Sequence, residues 1–556
     1  MKLLKLVTLF SICYCIISCA SVKSPKAVTF AISNKQPLTE KEKKDWYFKD
    51  IYKDSIPGIS LHKAYDFLNN KKGDTIIVAT IDLEVNISHK DLQSNIWVNT
   101  NEIPENGVDD DDNGYIDDIH GWNFLGTTEK DSVLYQHSES VRIIKKYEKL
   151  FEAKKISDID SSQITKFRLY ERATLELNNQ VSQAEENIIY FKGFKERYFK
   201  LIDTMHVLFN TKEFTLEKLD SLDRVSTDSI VKTKISSTKY CLERGIDEKW
   251  INKVINLHSN RKFKIYNLKH KDRLTTDNPF NLAEVGYGNN KVRGTRKMSH
   301  GSKVAGVIAA IRNNNYGVNG INDEAKIMPI IVSTNGNEYD KDIALGIRYA
   351  VDNGAKIINM SIGKEFSMNE EWIIDAIKYA ELNDVLLISS AGNESLNLDK
   401  KDVFYYPNDM NKDKNEISNN FIVVGSSNYK KGIVSDYSNY GKTTVDIFAP
   451  GENIRVITRK SYTTDSGTSI SCAIVSGIAS LIRSYYPNLT AKEVKDIILS
   501  SGTLVDANVY LPFTEGEERN PEKVPFSSLS KSGKIVNAYN ALLMAEEVSK
   551  KKKKRK

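Results

Sequence analysis

Gly467-Thr468-Ser469-Ile470-Ser471-Cys472-Ala473-Ile474-Val475 is the stretch on which the reading turns, because its serine opens an apolar helical pattern that continues to Tyr486. A serine hydroxyl is a poor nucleophile until a base takes its proton. The base in turn needs a carboxylate to hold its tautomer and to stabilise the imidazolium. Candidates for both roles lie upstream. In His300-Gly301-Ser302-Lys303-Val304-Ala305-Gly306 a histidine opens a second helical pattern, and in Ile81-Asp82 a carboxylate ends a buried strand.

The surroundings of these three motifs alternate regularly. Short runs rich in Ile and Val, without polar alternation, cover Thr75 to Ile81, Ala325 to Val332, Lys356 to Ile362, Val385 to Ser389 and Phe421 to Val424. Such runs predict parallel strands buried on both faces. Helical patterns lie among them at Ser302 to Arg312, Asp342 to Asn353, Met368 to Asn383, Ile470 to Tyr486 and Ala491 to Ser501. Strand alternating with helix predicts a layered α/β fold with a mostly parallel central sheet, whose function sits at the carboxyl ends of its strands. From Thr127 to Pro279 this pattern stops. Strand signals vanish, Gly193 is the one glycine between Lys130 and Glu243, and Ser138 to Lys154 and Ser162 to Phe209 space their apolar residues by three and four. That block predicts an α-helical insertion of two or more long antiparallel helices.

With Asp, His and Ser in this chain order, the sequence resembles a subtilisin-like serine peptidase, a subtilase. The resemblance covers residues 46 to 126 and 285 to 545. It includes Asn359-Met360-Ser361-Ile362-Gly363, Ser390-Ala391-Gly392-Asn393 and the closing Gly533-Lys534-Ile535-Val536-Asn537-Ala538-Tyr539. It implies a three-layer subtilisin-like fold and a triad of Asp82, His300 and Ser469. Asn393 would donate to the oxyanion together with the backbone N–H of Ser469. Extended peptide substrate would pair along Ser361, Ile362 and Gly363 on one side and Ser390, Ala391 and Gly392 on the other. Two departures stand out. After Asp82 the family usually has a hydroxyl residue and glycine, where this chain has Leu83 and Glu84, and Ala473 replaces a common proline. The lost hydroxyl donor predicts a less firmly oriented Asp82, and the lost proline a looser first helical turn. The alternative to a serine endopeptidase is therefore a catalytically weakened or silent peptide-binding lipoprotein on the same fold. His89 and His120, the other histidines near the aspartate, read as structural.

Asp109-Asp110-Asp111-Asp112-Asn113-Gly114-Tyr115-Ile116-Asp117-Asp118 spaces oxygen ligands as a calcium loop does. Asp109, Asp111, Asn113, the Tyr115 carbonyl and Asp117 are the candidate ligands for a structural Ca2+. A solvated acidic turn is the alternative, since no glutamate stands at position 12.

The ends of the chain carry a different kind of information. Lys2 and Lys5 precede an apolar run from Leu6 to Ile17, which reads as an export signal over residues 1–18. Ile16-Ile17-Ser18-Cys19 resembles a bacterial lipobox, so Cys19 is the expected lipidation site and the protein an exported, membrane-anchored lipoprotein of the cell envelope. A plain signal peptide is the alternative. Residues 19–45 then form a tether, 46–126 the first part of the core, 127–280 the insertion, 281–545 the second part and 546–556 a solvated basic tail. Of the five cysteines only Cys241 and Cys472 lie beyond Cys19, too few for a disulfide framework.

Overall composition sets outer limits. A chain of 556 residues exceeds one ordinary core, while 40% hydrophobic and 27% charged residues exclude a disordered chain and a multi-span membrane protein. The formal charge of +6 arises at the ends: without Lys2, Lys5 and the run Lys550 to Lys556, 70 basic residues face 73 acidic ones. A mildly acidic body argues against nucleic acid as a partner. Protein or peptide substrates, a membrane, and a partner for the insertion are the expected ones.

Overall fold

The computed structural model describes residues 37–127, 133–211, 213–293, 299–430, 432–513 and 520–555. The export signal and Cys19 lie outside these residues. The strands in chain order are β1 (Ile76–Asp82), β2 (Trp122–Asn123), β3 (Ala325–Ile331), β4 (Ile357–Met360), β5 (Leu386–Ser390), β6 (Phe421–Ser427), β7 (Ile447–Pro450), β8 (Ile454–Ile457), β9 (Tyr462–Asp465), β10 (Thr503–Leu504), β11 (Asn508–Tyr510), β12 (Lys523–Pro525) and β13 (Lys534–Ile535). Nine of them form one sheet in the order β10-β13-β7-β6-β5-β4-β1-β3-β2. Only β10 runs antiparallel to its neighbour; every other pair is parallel. β8–β9 and β11–β12 are separate antiparallel ribbons.

Both faces of the sheet are covered, which is why its strands are continuously apolar. Val78, Ile327 and Ile357 face a layer built from the helices Leu61–Leu68, His300–Ala309, Thr468–Tyr485, Ala491–Ser501 and Ala538–Arg555. Ala79, Met328 and Ile358 face the helices Asp340–Asp352 and Glu370–Leu382. The result is the expected three-layer α/β subtilase architecture with its helical insertion. Strand ends fall within three residues of where the apolar runs put them.

The insertion is dominated by one helix of 46 residues, Ile164–Phe209, which at 1.5 Å per residue is about 70 Å long. Its buried residues Ala173, Leu177, Ala184 and Ile188 are spaced by four, seven and four, which puts them on one side of the helix. Near its start it packs with Glu139–Phe151 through Val141 and Ile144; at its far end Met205 meets Leu219 and Ile235 in a second small core. Residues 266–293 lie outside this helical body: Arg273 pairs with Asp342 of the sheet-covering helix at 2.7 Å, and Asn289 exchanges backbone hydrogen bonds with Asn123 of β2.

The two terminal segments differ from expectation. Residues 40–45 of the expected tether are a helix, Glu40–Asp45, started by a capping box in which Thr39 and Glu42 bond reciprocally. The basic tail is the end of the helix Ala538–Arg555, and its Lys550, Lys551, Lys553 and Lys554 are exposed to solvent; what differs is that the segment is helical. Upstream of it, buried Leu542 and Ala545 seat that helix on Leu61–Leu68, and the ion pairs Lys71–Glu546 at 2.9 Å and Lys552–Glu493 at 2.7 Å hold its polar side down. β13 and this helix are integral to the sheet side of the molecule, since Ala538 N–H donates to Ile59 O and Asn537 Nδ2 to Ser60 Oγ. Among the described residues no helix is long and apolar enough to cross a membrane.

Candidate active site

Asp82 is the last residue of β1 and is fully buried. His300 opens the helix His300–Ala309, and its Nδ1 lies 2.7 Å from Asp82 Oδ1. The two can approach because residue 301 is glycine: a Cβ there would sit 2.1 Å from the carbonyl oxygen of Leu83. Leu83 lacks a hydroxyl but its backbone N–H donates to Asp82 Oδ1 at 2.6 Å. The other oxygen, Oδ2, is buried with no hydrogen-bond partner among the described residues. The Leu83 departure thus has the expected trace, one carboxylate oxygen held and one unsupported. Burial alone would depress the His300 imidazolium, but the charge of Asp82 and its hydrogen bond outweigh burial and raise the pKa above its ordinary value.

Ser469 sits in the first turn of the helix Thr468–Tyr485, where backbone N–H groups have no intrahelical acceptor. Its hydroxyl donates to the Ser361 carbonyl at 3.1 Å. Among the described residues no hydrogen bond joins it to His300. The Ser469 carbonyl is held in turn: Ser361 Oγ donates to it at 2.9 Å, and Asn359 Nδ2 donates to Ser361 Oγ at 2.9 Å. Asn359 Oδ1 accepts from Ser476 Oγ and from the Cys472 thiol, so buried Cys472 supports the strand end carrying Ser361. Ala473 is buried within the same helix, which runs unbroken past it.

Asn393 follows the end of β5. Its Oδ1 accepts from Thr468 N–H at 2.9 Å and from Thr468 Oγ1 at 3.1 Å, which leaves Nδ2 to donate elsewhere. A Cβ built on Gly467 would lie 3.8 Å from Asn393 Oδ1 and 3.9 Å from both Asn393 Nδ2 and Ser469 N, so the Asn393 amide and the Ser469 N–H both lie near this glycine. Thr468 was not singled out from the sequence, although it adjoins Ser469; its hydroxyl also accepts from Gly392 N–H at 3.2 Å. Ser361, Ile362 and Gly363 continue β4, and Ser390, Ala391 and Gly392 end or continue β5, two adjacent parallel strands of the sheet. His89 is buried with its Nδ1 accepting from Asp91 N–H, and His120 Nδ1 bonds the Trp97 carbonyl.

The acidic loop is a chain of Asx turns. Asp109 accepts from Asn113 and Gly114 N–H, Asp111 from Asn113 N–H, and Asn113 Oδ1 from Tyr115 N–H. The two oxygens of Asp117 accept from the backbone N–H groups of Asn106 and Gly107 at 3.1 and 3.0 Å. The carboxylates that the structure brings together are Glu102, Asp109 and Asp111. One oxygen each of Glu102, Asp109 and Asp111 lie within 4.8 Å of one another, and Glu102 Oε2 is buried without a partner. Burial raises the Glu102 pKa, as expected of a carboxylate turned inward. Converging hard oxygens suit Ca2+. The cue for Glu102 was an acid shortly before the Asn106-Gly107 turn that folds the chain back on itself.

The sequence was compared with known proteins. It is 35% identical over 231 residues to the cell wall-associated protease of Bacillus subtilis, covering 41% of this chain and 23% of that protein. To the major intracellular serine protease of the same organism it is 36% identical over 189 residues, covering 34% of this chain and 55% of the relative. The chain thus spans about a quarter and about half of the length of these two relatives. Among solved structures, the prenylagaramide maturation protease PagA is similar at 26% identity with a TM-score of 0.36, covering 44% of this chain and 82% of that one. The subtilase family profile matches residues 73–518, a span that contains Asp82, His300, Asn393 and Ser469, and the chain belongs to the subtilase family.

Proposed function

We propose that this protein is a serine endopeptidase acting on extended segments of proteins through Asp82, His300 and Ser469. The supporting observation is the 2.7 Å Asp82–His300 pair, at the same strand-end cluster as a serine whose N–H lies with the Asn393 amide near Gly467. Ser469 Oγ attacks the scissile carbonyl while its proton passes to His300 Nε2. Asp82 keeps Nδ1–H oriented and stabilises the imidazolium. The oxyanion is received by Asn393 Nδ2 and Ser469 N–H. His300 then gives its proton to the leaving amine, and water repeats the sequence on the acyl-enzyme. Substrate pairs along Ser361, Ile362 and Gly363 and along Ser390, Ala391 and Gly392. A fluorophosphonate probe and casein cleavage, each with Ser469→Ala as control, test this; wild type that neither labels nor cleaves in calcium ends the proposal.

A second reading is a silent peptide-binding protein. The Ser469–Ser361 bond and the unsupported Asp82 Oδ2 favour it. It predicts peptide binding without labelling.

Three further parts complete the proposal. Ca2+ is held by Glu102, Asp109 and Asp111, with Asn113 and the Tyr115 carbonyl, and draws the carboxylates of the loop together. The protein is exported and anchored to a membrane through acylated Cys19; Cys19→Ala releasing it from the membrane fraction is the expected result. The helical insertion supports or gates the cleft, because buried Glu139 of its first helix lies 3.2 Å from the ammonium of Lys364, next to Gly363. Deletion of residues 139–265 leaving cleavage and specificity unchanged would count against that role.

A further inference from the structure

Gly363 and Gly392 continue the adjacent strands β4 and β5 on either side of the cleft proposed above. On the endopeptidase reading, substrate paired along both segments brings the side chain of the residue before the scissile bond to the gap between these two glycines. In both directions the gap is filled by Tyr405. A Cβ built on Gly363 would lie 2.1 Å from Tyr405 Cε1 and 2.8 Å from its Oη. One built on Gly392 would lie 2.7 Å from Tyr405 Cζ and 2.5 Å from Glu394 Oε2. The ring is thus in contact with both glycines and bridges the gap.

The ring is also held. Tyr405 Oη donates to Glu394 Oε1 at 3.4 Å, and Asn439 Nδ2 donates to Glu394 Oε2 at 2.7 Å and to the Ala391 carbonyl at 2.8 Å. The next residue, Tyr406, exchanges backbone hydrogen bonds of 2.8 and 3.0 Å with Lys364, fastening this segment to the strand end after Gly363. The small cavity beside the ring, about 20 Å³ and lined by Ser390, Ala391, Leu398, Tyr405 and Pro407, is bordered by neither glycine and so adds no room to the gap.

We infer that Tyr405 is the specificity-determining residue of the cleft and restricts cleavage to bonds that follow glycine or alanine. The inference rests on the endopeptidase reading. A leucine or phenylalanine would have to displace a ring braced by a carboxylate and by two strand ends. A missing or misplaced group in a rigid pocket changes kcat/KM by about 100-fold.

The test is a peptide series with Gly, Ala, Leu or Phe before the scissile bond, cleaved by wild type, Tyr405→Ala and Tyr405→Phe, with fluorophosphonate labelling of all three. Wild type is expected to cleave the Gly and Ala peptides about 100-fold faster than the Leu and Phe peptides. Tyr405→Phe keeps the ring and the preference. Tyr405→Ala opens the gap, so the Leu and Phe peptides gain at least about tenfold relative to Gly. Labelling with equal cleavage of all four peptides by wild type overturns the role of Tyr405 and leaves the endopeptidase reading intact. Absence of labelling in wild type overturns the endopeptidase reading and this inference with it. Should Tyr405→Ala fail to fold, the wild-type and Tyr405→Phe profiles still decide, because large residues accepted by either contradict a closed gap.

Discussion

Replacing Lys364 by methionine asks whether the substrate edge is fastened from below. The Lys364 side chain is buried and reaches Asp340 Oδ1 at 2.7 Å, Glu139 Oε2 at 3.2 Å and the Glu338 carbonyl at 2.7 Å. Burial by itself would lower its pKa, but Asp340 and then Glu139 outweigh burial and raise it. Its stabilising contribution is therefore present below the ordinary lysine range and is lost only as the pH rises through the raised folded value. Removing one partner of a buried ion pair costs about 3–5 kcal/mol. Here the lower end applies. Asp340 Oδ2 keeps the N–H groups of Met368 and Asn369, and Glu139 Oε2 keeps Arg142 at 2.6 Å. A cost of about 3 kcal/mol corresponds to roughly 150-fold faster opening. Native-state hydrogen exchange at the amides of Lys364 and Tyr406, which bond each other's carbonyls, reads that opening directly. Adding Asp340→Asn removes the orphaned charge, so the double variant should exchange about tenfold more slowly than the product of the single effects predicts. Lys364→Met with less than about fivefold acceleration, or strictly additive effects, would refute the reasoning.

Three other outcomes follow from the same geometry. Asn393→Ala should lower kcat by about 10²–10³ with KM nearly unchanged, a magnitude that comes from subtilisin itself; stopped assays under saturating peptide measure it. Because Asp82 raises the His300 pKa and the neutral imidazole is the base, the acid limb of the kcat/KM–pH profile should lie above the ordinary imidazole range, and Asp82→Asn should shift it downward while cutting turnover by about 10⁴. Calcium at about 100 times its Kd should stabilise the protein by roughly 2.7 kcal/mol, seen as a melting shift that EDTA abolishes and Glu102→Gln largely removes.

What could be read from the chain alone depended on whether a residue's role is local. A buried parallel strand announces itself by its own apolar run, and Ala325–Ile331 lies where that run predicted. Asp82, His300 and Ser469 are each at a strand end or helix start, so their placement followed once the alternation was recognised. Roles set by distant segments were invisible. Tyr405 matters because it meets Gly363, and that contact depends on how the loop after β5 folds back. Asp117 has ligand spacing yet accepts from the turn at Asn106, and the nearness of Glu102 to Asp109 and Asp111 depends on how the chain folds back. The helix at the basic end was hidden because lysines dominate its composition; Leu542 and Ala545 upstream seat that helix, while Lys550, Lys551, Lys553 and Lys554 stay in solvent.

The position of β13 between β10 and β7 has a consequence for when the sheet is completed during synthesis. Ser469 leaves the ribosome well before Lys534, so a nascent chain carries every reacting residue while β7 still has an open edge. Ile59 and Ser60, near the start of the described chain, also wait for Asn537 and Ala538. Contacts of such sequence separation form late. The final strand and helix therefore complete the sheet edge and the Ile59–Ser60 segment only once nearly the whole chain has been made.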